Sequence, residues 1–145
     1  GGAPTSPPDE HGPRAMTPDD VDRPEVVAEI TRLFHAYERA LMGNDVEALN
    51  ACFWPDARVT RYGIADRQWG IDELVAFRAA TPAPQFTRTL HHLRIHTFGP
   101  DVAVAQVEFV RSDTPLRGFQ SQTWVRFGPT WRIVAAHVSM IPFPA

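Results

Sequence analysis

From Thr87 to Ile141 the sequence is four strand-like runs divided by turn signals, and no other feature constrains the fold so strongly. The runs are TRTLHHLRIHTFG, VAVAQVEFVRSD, LRGFQSQTWVRFG and WRIVAAHVSMI. Gly99-Pro100-Asp101, Asp113-Thr114-Pro115 and Gly128-Pro129-Thr130 separate them. Turns this short join antiparallel neighbours.

Upstream of Pro84 the period changes from two to between three and four. In PEVVAEITRLFHAYERALMGND, apolar Val27, Ile30, Leu33, Phe34, Tyr37 and Leu41 form one helical stripe. Asp22 is placed to cap this helix, Pro24 suits its first turn, and Gly43 can end it in a left-handed conformation. DVEALNACF reads as a short second helix capped by Asn44 or Asp45 and closed by Trp54-Pro55. RVTRYG reads as a short strand, and GIDELVAFRAA as a third helix. Helices come first and a strand meander last, so the expected class is α+β, with the helices on one face of a curved antiparallel sheet. A sheet that curls around a long helix encloses a cone, and a cone can hold a pocket.

With 145 residues the chain suits one domain, and 43% hydrophobic content is enough for a core. Residues 1–23 are rich in Pro, Gly and charge; a disordered tail is expected there, with the single domain over 24–145. A net charge of −3 without a basic stripe gives no reason to expect nucleic acid. No apolar run approaches the ~20 residues that span a bilayer. The opening residues lack the basic-then-apolar order of a secretory signal. A cytoplasmic protein is therefore the expectation. The one cysteine, Cys52, cannot form an intramolecular disulfide and reads as an inert packed thiol.

Several polar residues fall where packing alone does not explain them. Tyr37 lies on the apolar stripe, so its hydroxyl needs a partner: a backbone carbonyl in the core, or a ligand at a pocket floor. Arg61 alternates with Val59, opposite Thr60 and Tyr62; it is either an edge-strand residue in solvent or a guanidinium at the cone mouth, gripping a carboxylate. In FQSQTWVRF, Gln120, Gln122, Trp124 and Arg126 share one face, with Ser121, Thr123, Val125 and Phe127 on the other. Such amides and hydroxyls suit a polar pocket wall or a solvated sheet surface. His137 shares a strand face with Ile133 and Ala135, as a core residue or a base. Glu108, if buried, needs Arg61, Arg126 or His137 as partner. His92 and His96, with Arg94 between them, fall on one strand face, but a metal site lacks a third ligand there. GxSxG, P-loop and GxGxxG motifs are absent from the sequence, which argues against serine-hydrolase, nucleotide and dinucleotide chemistry.

RYGIADRQWGIDELVAFRAA, QSQTWVRF and WRIVAAHVSM together resemble the AtzH-like proteins, which include relatives encoded with oxalurate-catabolism genes. The resemblance runs from about Pro24 to Met140. It implies the cone-shaped α+β barrel shared with ketosteroid isomerase, SnoaL-type cyclases and nuclear transport factor 2, and a homodimer paired through the open face of the sheet. It also implies a cofactor-free, metal-free decarboxylating amidohydrolase acting on a small anionic urea-like substrate. The family's catalytic tyrosine falls on Tyr37 and its catalytic arginine on Arg61. Gln120, Ser121, Gln122, Trp124, His137 and Glu108 are then candidate substrate-binding residues. Where many relatives carry Glu and Tyr, this chain has Asp66 and Trp69, and the strand bearing His91, His92 and His96 departs from its usual counterpart. The rival expectations are an isomerase or cyclase using His137 or Glu108 as base, and a non-catalytic binding module.

Overall fold

The stripe centred on Phe34 folds as expected into a helix, α1, Pro24–Met42, in the computed structural model of the chain, which describes residue 2 and residues 14–144. Ile30, Phe34 and Tyr37 are buried along one side, and Val26 rather than Val27 faces inward at the start. Burying each large side chain contributes roughly 1.5–3 kcal/mol, so this face holds the helix on the sheet. A short α2, Val46–Cys52, follows, capped by Asp45, whose carboxylate accepts from the Ala48 N–H at 3.1 Å. Two three-residue strands come next, β1, Thr60–Tyr62, and β2, Arg67–Trp69, then α3, Ile71–Ala80. The four long runs become β3, Arg88–Phe98, β4, Val102–Arg111, β5, Arg117–Phe127, and β6, Thr130–Ile141.

The strands form one sheet in the order β2-β1-β6-β5-β4-β3. Neighbours are antiparallel except β1 and β6, which run parallel. The α+β class is as expected, but the sheet is open rather than a closed barrel, with β2 and β3 as its edges. Strand β2 escapes a sequence reading because three residues, two of them exposed, carry no usable alternation.

Two irregularities bend the sheet. On β3 an extra residue lies between His91 and Arg94, and His92 adopts φ 56° there. On β6, Ile133 pairs with Trp124 and Ala135 with Thr123, which leaves Val134 as a bulge. A bulge increases local twist and reverses which face the following residues occupy. Below Val134, Ala136 and Val138 pair with the inward Gln122 and Gln120, while His137 pairs with the outward Ser121. The expected shared face of Ile133, Ala135 and His137 therefore breaks at Ile133, which faces inward while Ala135 and His137 face outward, whereas His92 and His96 both border the outer side of the sheet with Arg94.

The helix ends also differ from expectation. Gly43 stays right-handed, with φ −85°, and Asn44 takes the left-handed position at φ 51°. Asn tolerates this conformation because its short side chain bonds locally. Asp22 does not cap α1; Arg23 holds that position without a side-chain bond. Asp22 turns instead to β3, where its carboxylate accepts from the Thr97 N–H at 2.9 Å and lies 3.0 Å from His96 Nδ1. Asp20 is buried and Val21 bridges Phe98, so packing begins before Pro24. Of the expected tail, residues 1 and 3–13 lie outside those described. No helix among the described residues is long and apolar enough to cross a membrane.

The Thr97 N–H, followed by His96, holds the Asp22 carboxyl below its ordinary value. A lowered carboxyl pKa in the folded state gives a contribution that is complete above the unfolded value and disappears as pH falls through the lowered one. Hydrogen exchange at the Thr97 amide is expected to quicken relative to Phe34 as pH drops below about 4. Asp22→Asn is expected to remove that pH dependence.

Candidate functional site

Because α1 covers only part of the bent sheet, a cavity of about 450 Å³ remains between α1, α3 and the inner face of β1, β5 and β6. Tyr37 reaches it from the α1 stripe, as the helix phase predicts. Arg61 reaches it from the middle of β1; its side chain is 12% exposed, so this is not an arginine in solvent. Gln120 and Gln122 line it from the inward face of β5.

Arg61 is fixed by its own strand pair. Its Nη1 donates at 2.8 Å to Asp66 Oδ1 and at 2.8 Å to Gln68 Oε1, the latter directly across the β1–β2 ladder. Gly63 permits this clamp, because a Cβ there would lie 2.3 Å from Asp66 Oδ1. Its Cζ lies 4.7 Å from the centre of the Phe77 ring, so the cation rests on an aromatic face. With both Nη1 hydrogens engaged, Nε and Nη2 keep three donors without a protein hydrogen bond among the described residues.

A second arginine, overlooked in the sequence, completes the site. Arg78 lies on α3 one turn after the fully buried Leu74 and is itself buried. Its Nη2 donates to the Tyr37 hydroxyl oxygen at 3.3 Å, and its Nε has no partner among the described residues. Tyr37 is thus bonded to a guanidinium rather than to a backbone carbonyl. Burial pushes the Arg78 guanidinium below its ordinary pKa; Arg61 acts in the same direction, while Tyr37 and Asp66 oppose it. Among the described residues Arg78 has no carboxylate within ion-pair distance. An anion between Arg61 and Arg78 would relieve both the desolvation and the mutual repulsion.

A third guanidinium, Arg88, is compensated. Its Nε lies 3.0 Å from Glu38 Oε1, close enough for an ion pair but without aligned hydrogen-bond geometry, and its Nη2 donates to Gln120 Oε1 at 2.9 Å. Burial raises the Glu38 carboxyl above its ordinary value, and Arg88 opposes that rise. The Gln120 amide nitrogen is buried with no partner among the described residues. Two of the cavity's unmatched buried groups, Arg78 Nε and Gln120 Nε2, are therefore donors, which calls for a ligand rich in acceptors.

Most of the remaining sequence candidates are elsewhere. Trp124 is buried and donates from Nε1 to Gln122 Oε1 at 3.1 Å, so it fixes that amide instead of facing the cavity. Ser121 is on the outer face, where it accepts from Gln106. Glu108 is also outward and pairs with Arg117 at 3.3 Å, not with Arg61, Arg126 or His137. His137 pairs with outward Ser121 yet is among the residues lining the cavity, with its ring edge-on to Tyr62 at 6.0 Å. Cys52 is partly buried, and burial raises its thiol pKa. His96 is taken up by Asp22, and among the described residues no cluster of three or more His, Cys, Asp or Glu is placed to hold a metal.

Comparison with known proteins identifies the family and the fold. A family model described as AtzH-like matches residues 19–143. A protein of unknown function from Pectobacterium atrosepticum is 46% identical, with TM-score 0.85, over 88% of this chain and 100% of that one. A cystatin-like fold protein from Burkholderia xenovorans is 45% identical, with TM-score 0.83, over 90% and 100%. At 24% identity and TM-score 0.67, a nuclear-transport-factor-2-like superfamily protein from Salmonella enterica shares the fold over 83% and 94%. No curated protein matches the chain.

Removing Glu38 leaves Arg88 buried without its counter-ion, a change that costs about 3–5 kcal/mol. Glu38→Ala is expected to lower the free energy of unfolding by about 3 kcal/mol in urea titrations. A loss under about 1 kcal/mol would show that the pair is not holding Arg88.

Proposed function

The chain belongs to the AtzH-like family, and from the cavity it builds we propose a cofactor-free hydrolase of small carboxylated urea-type compounds. One observation carries this reading: the buried Arg78 has no carboxylate partner and faces the same cavity as Arg61 and Tyr37. The substrate carboxylate sits between the two guanidiniums, where charge-assisted bonds are strong. Its carbonyl oxygen takes a free Arg61 donor as negative charge grows on it.

The Tyr37 oxygen already accepts from Arg78, so its hydrogen is free to donate. In the proposed step water adds to the urea carbonyl carbon and the C–N bond breaks. Tyr37 gives its proton to the departing nitrogen and recovers one from the attacking water. The resulting carbamate takes up a proton and separates into carbon dioxide and an amine. The Gln120 amide nitrogen holds an acceptor on the urea plane. The isomerase or cyclase alternative has less support, since Glu108, one of its expected bases, is paired with Arg117 on the outer face, and His137, the other, borders the cavity from a position that faces outward by register. A homodimer paired through that outer face is part of the same proposal.

Tyr37→Phe is expected to lower turnover by about 10²–10⁴-fold. Arg61→Lys keeps the charge but loses the planar fork, and a loss of about 10²-fold is expected. Release of carbon dioxide from allophanate-like and oxalurate-like compounds measures both, with circular dichroism to confirm folding. Wild-type rates in either variant would sink these assignments. Arg78→Lys is expected to raise KM for every carboxylated substrate by about tenfold or more.

A further inference from the structure

The cavity is larger than the anion site needs. An apolar cavity of about 150 Å³ accommodates benzene, with its six heavy atoms. A bare carboxylated urea has about seven heavy atoms, so by the same scale it occupies roughly 200 Å³ at most. The cavity measures about 450 Å³. More than half of it lies beyond any ligand of that size.

The surplus has its own chemistry. Phe86, in the connector between α3 and β3, Phe109 on β4 and Val138 on β6 also line the cavity, and the first two are grouped by Arg88 and Arg111, which lie opposite each other on β3 and β4. The two arginines nearest these rings carry no free charge. Arg88 stacks over Phe109 at 4.0 Å and is matched by Glu38; Arg111 stacks over Phe86 at 3.5 Å and is matched by Asp113 at 2.6 Å. Phe109 is positioned by an absence: a Cβ on Gly118 would lie 2.2 Å from its ring. The cavity thus has an arginine end with an unmatched cation and an apolar end whose cations are spent.

We propose that the ligand is amphiphilic: a carboxylate beside an amide or urea plane, bearing an aryl or alkyl substituent that fills the end walled by Phe86, Phe109 and Val138. This substrate class rests on the reading of Arg61 and Arg78 as a carboxylate site. The substituent extends from the nitrogen remote from the carboxylate, past Gln120, and displaces water from apolar surface. The unsubstituted compound fits the head of the site but leaves its apolar end wet.

Calorimetric titration of the full chain with oxamate, N-phenyloxamate and acetanilide tests this. The two oxamates share the planar carboxylate-amide head, and acetanilide keeps the anilide but lacks the carboxylate. N-phenyloxamate is expected to bind about 30-fold more tightly than oxamate, as burial of one phenyl group would give. Acetanilide is expected to bind far more weakly than N-phenyloxamate. Phe86→Ala is expected to narrow the ratio between the two oxamates to a few-fold. Arg78→Leu is expected to weaken both. Equal affinity for the two oxamates, with dependence on Arg78 retained, overturns the amphiphilic ligand and leaves the carboxylate site standing. Binding of acetanilide as tight as that of N-phenyloxamate, or failure of all three to bind, overturns the carboxylate site and this inference with it. The wild-type ratio decides the matter even where a variant does not fold.

Discussion

A bent sheet held against one helix is the constraint from which the rest follows. The inner face of α1 seals the core through Ile30 and Phe34, and the bulges at His92 and Val134 add twist to the strands it crosses. A flat sheet would lie close along the whole helix. A twisted one separates from it toward the C-terminal end of α1, where Tyr37 is the last large inward side chain before Ala40. The cavity lies toward this end of the helix, lined there by Tyr37, Leu41 and Asn44. Side chains that enter it do so because their strand or helix phase leaves them no other direction.

Within the cavity the electrostatics are graded. Arg61 shares one hydrogen with Asp66 and another with Gln68, Arg88 lies against Glu38, and Arg78 has only the Tyr37 oxygen. A buried cation without a counter-ion is costly, and folds retain one where a ligand supplies the missing charge. The Tyr37 phenol is tied to this least compensated group, so under the proposed reading ligand charge and phenol orientation would be coupled through a single guanidinium. The resemblance to the family points to Tyr37 and Arg61; the geometry adds the residue that connects them.

Periodicity made some of this legible and hid the rest. The α1 stripe placed Tyr37 inward because a long amphipathic helix has one phase and no insertions. Arg61 was legible as an alternation with Val59, though alternation alone could not tell a cone mouth from solvent. His137 was misassigned because a bulge is invisible to a count of two, and one extra residue at Val134 reverses everything after it. Glu108 and Ser121 alternate cleanly, but sequence does not say which side of a sheet the helices cover. Arg78 was overlooked because α3 has apolar residues around most of its circumference and no sharp stripe. The available signal was its position four residues after Leu74, which puts both on one face.

The segment before α1 bears on the outer edge of the sheet. Strand β3 is eleven residues long and, among the described residues, pairs with a full strand on one side only, which leaves most of its far side without a strand partner. Such an edge recruits strands from other molecules unless it is interrupted. Here the left-handed His92 breaks the edge near its middle, and Val21 and Asp22 occupy its end at Phe98 and Thr97. What anchors the start of a helix also covers one end of an exposed edge, so the same two residues seat α1 and shorten the stretch of β3 open to another strand.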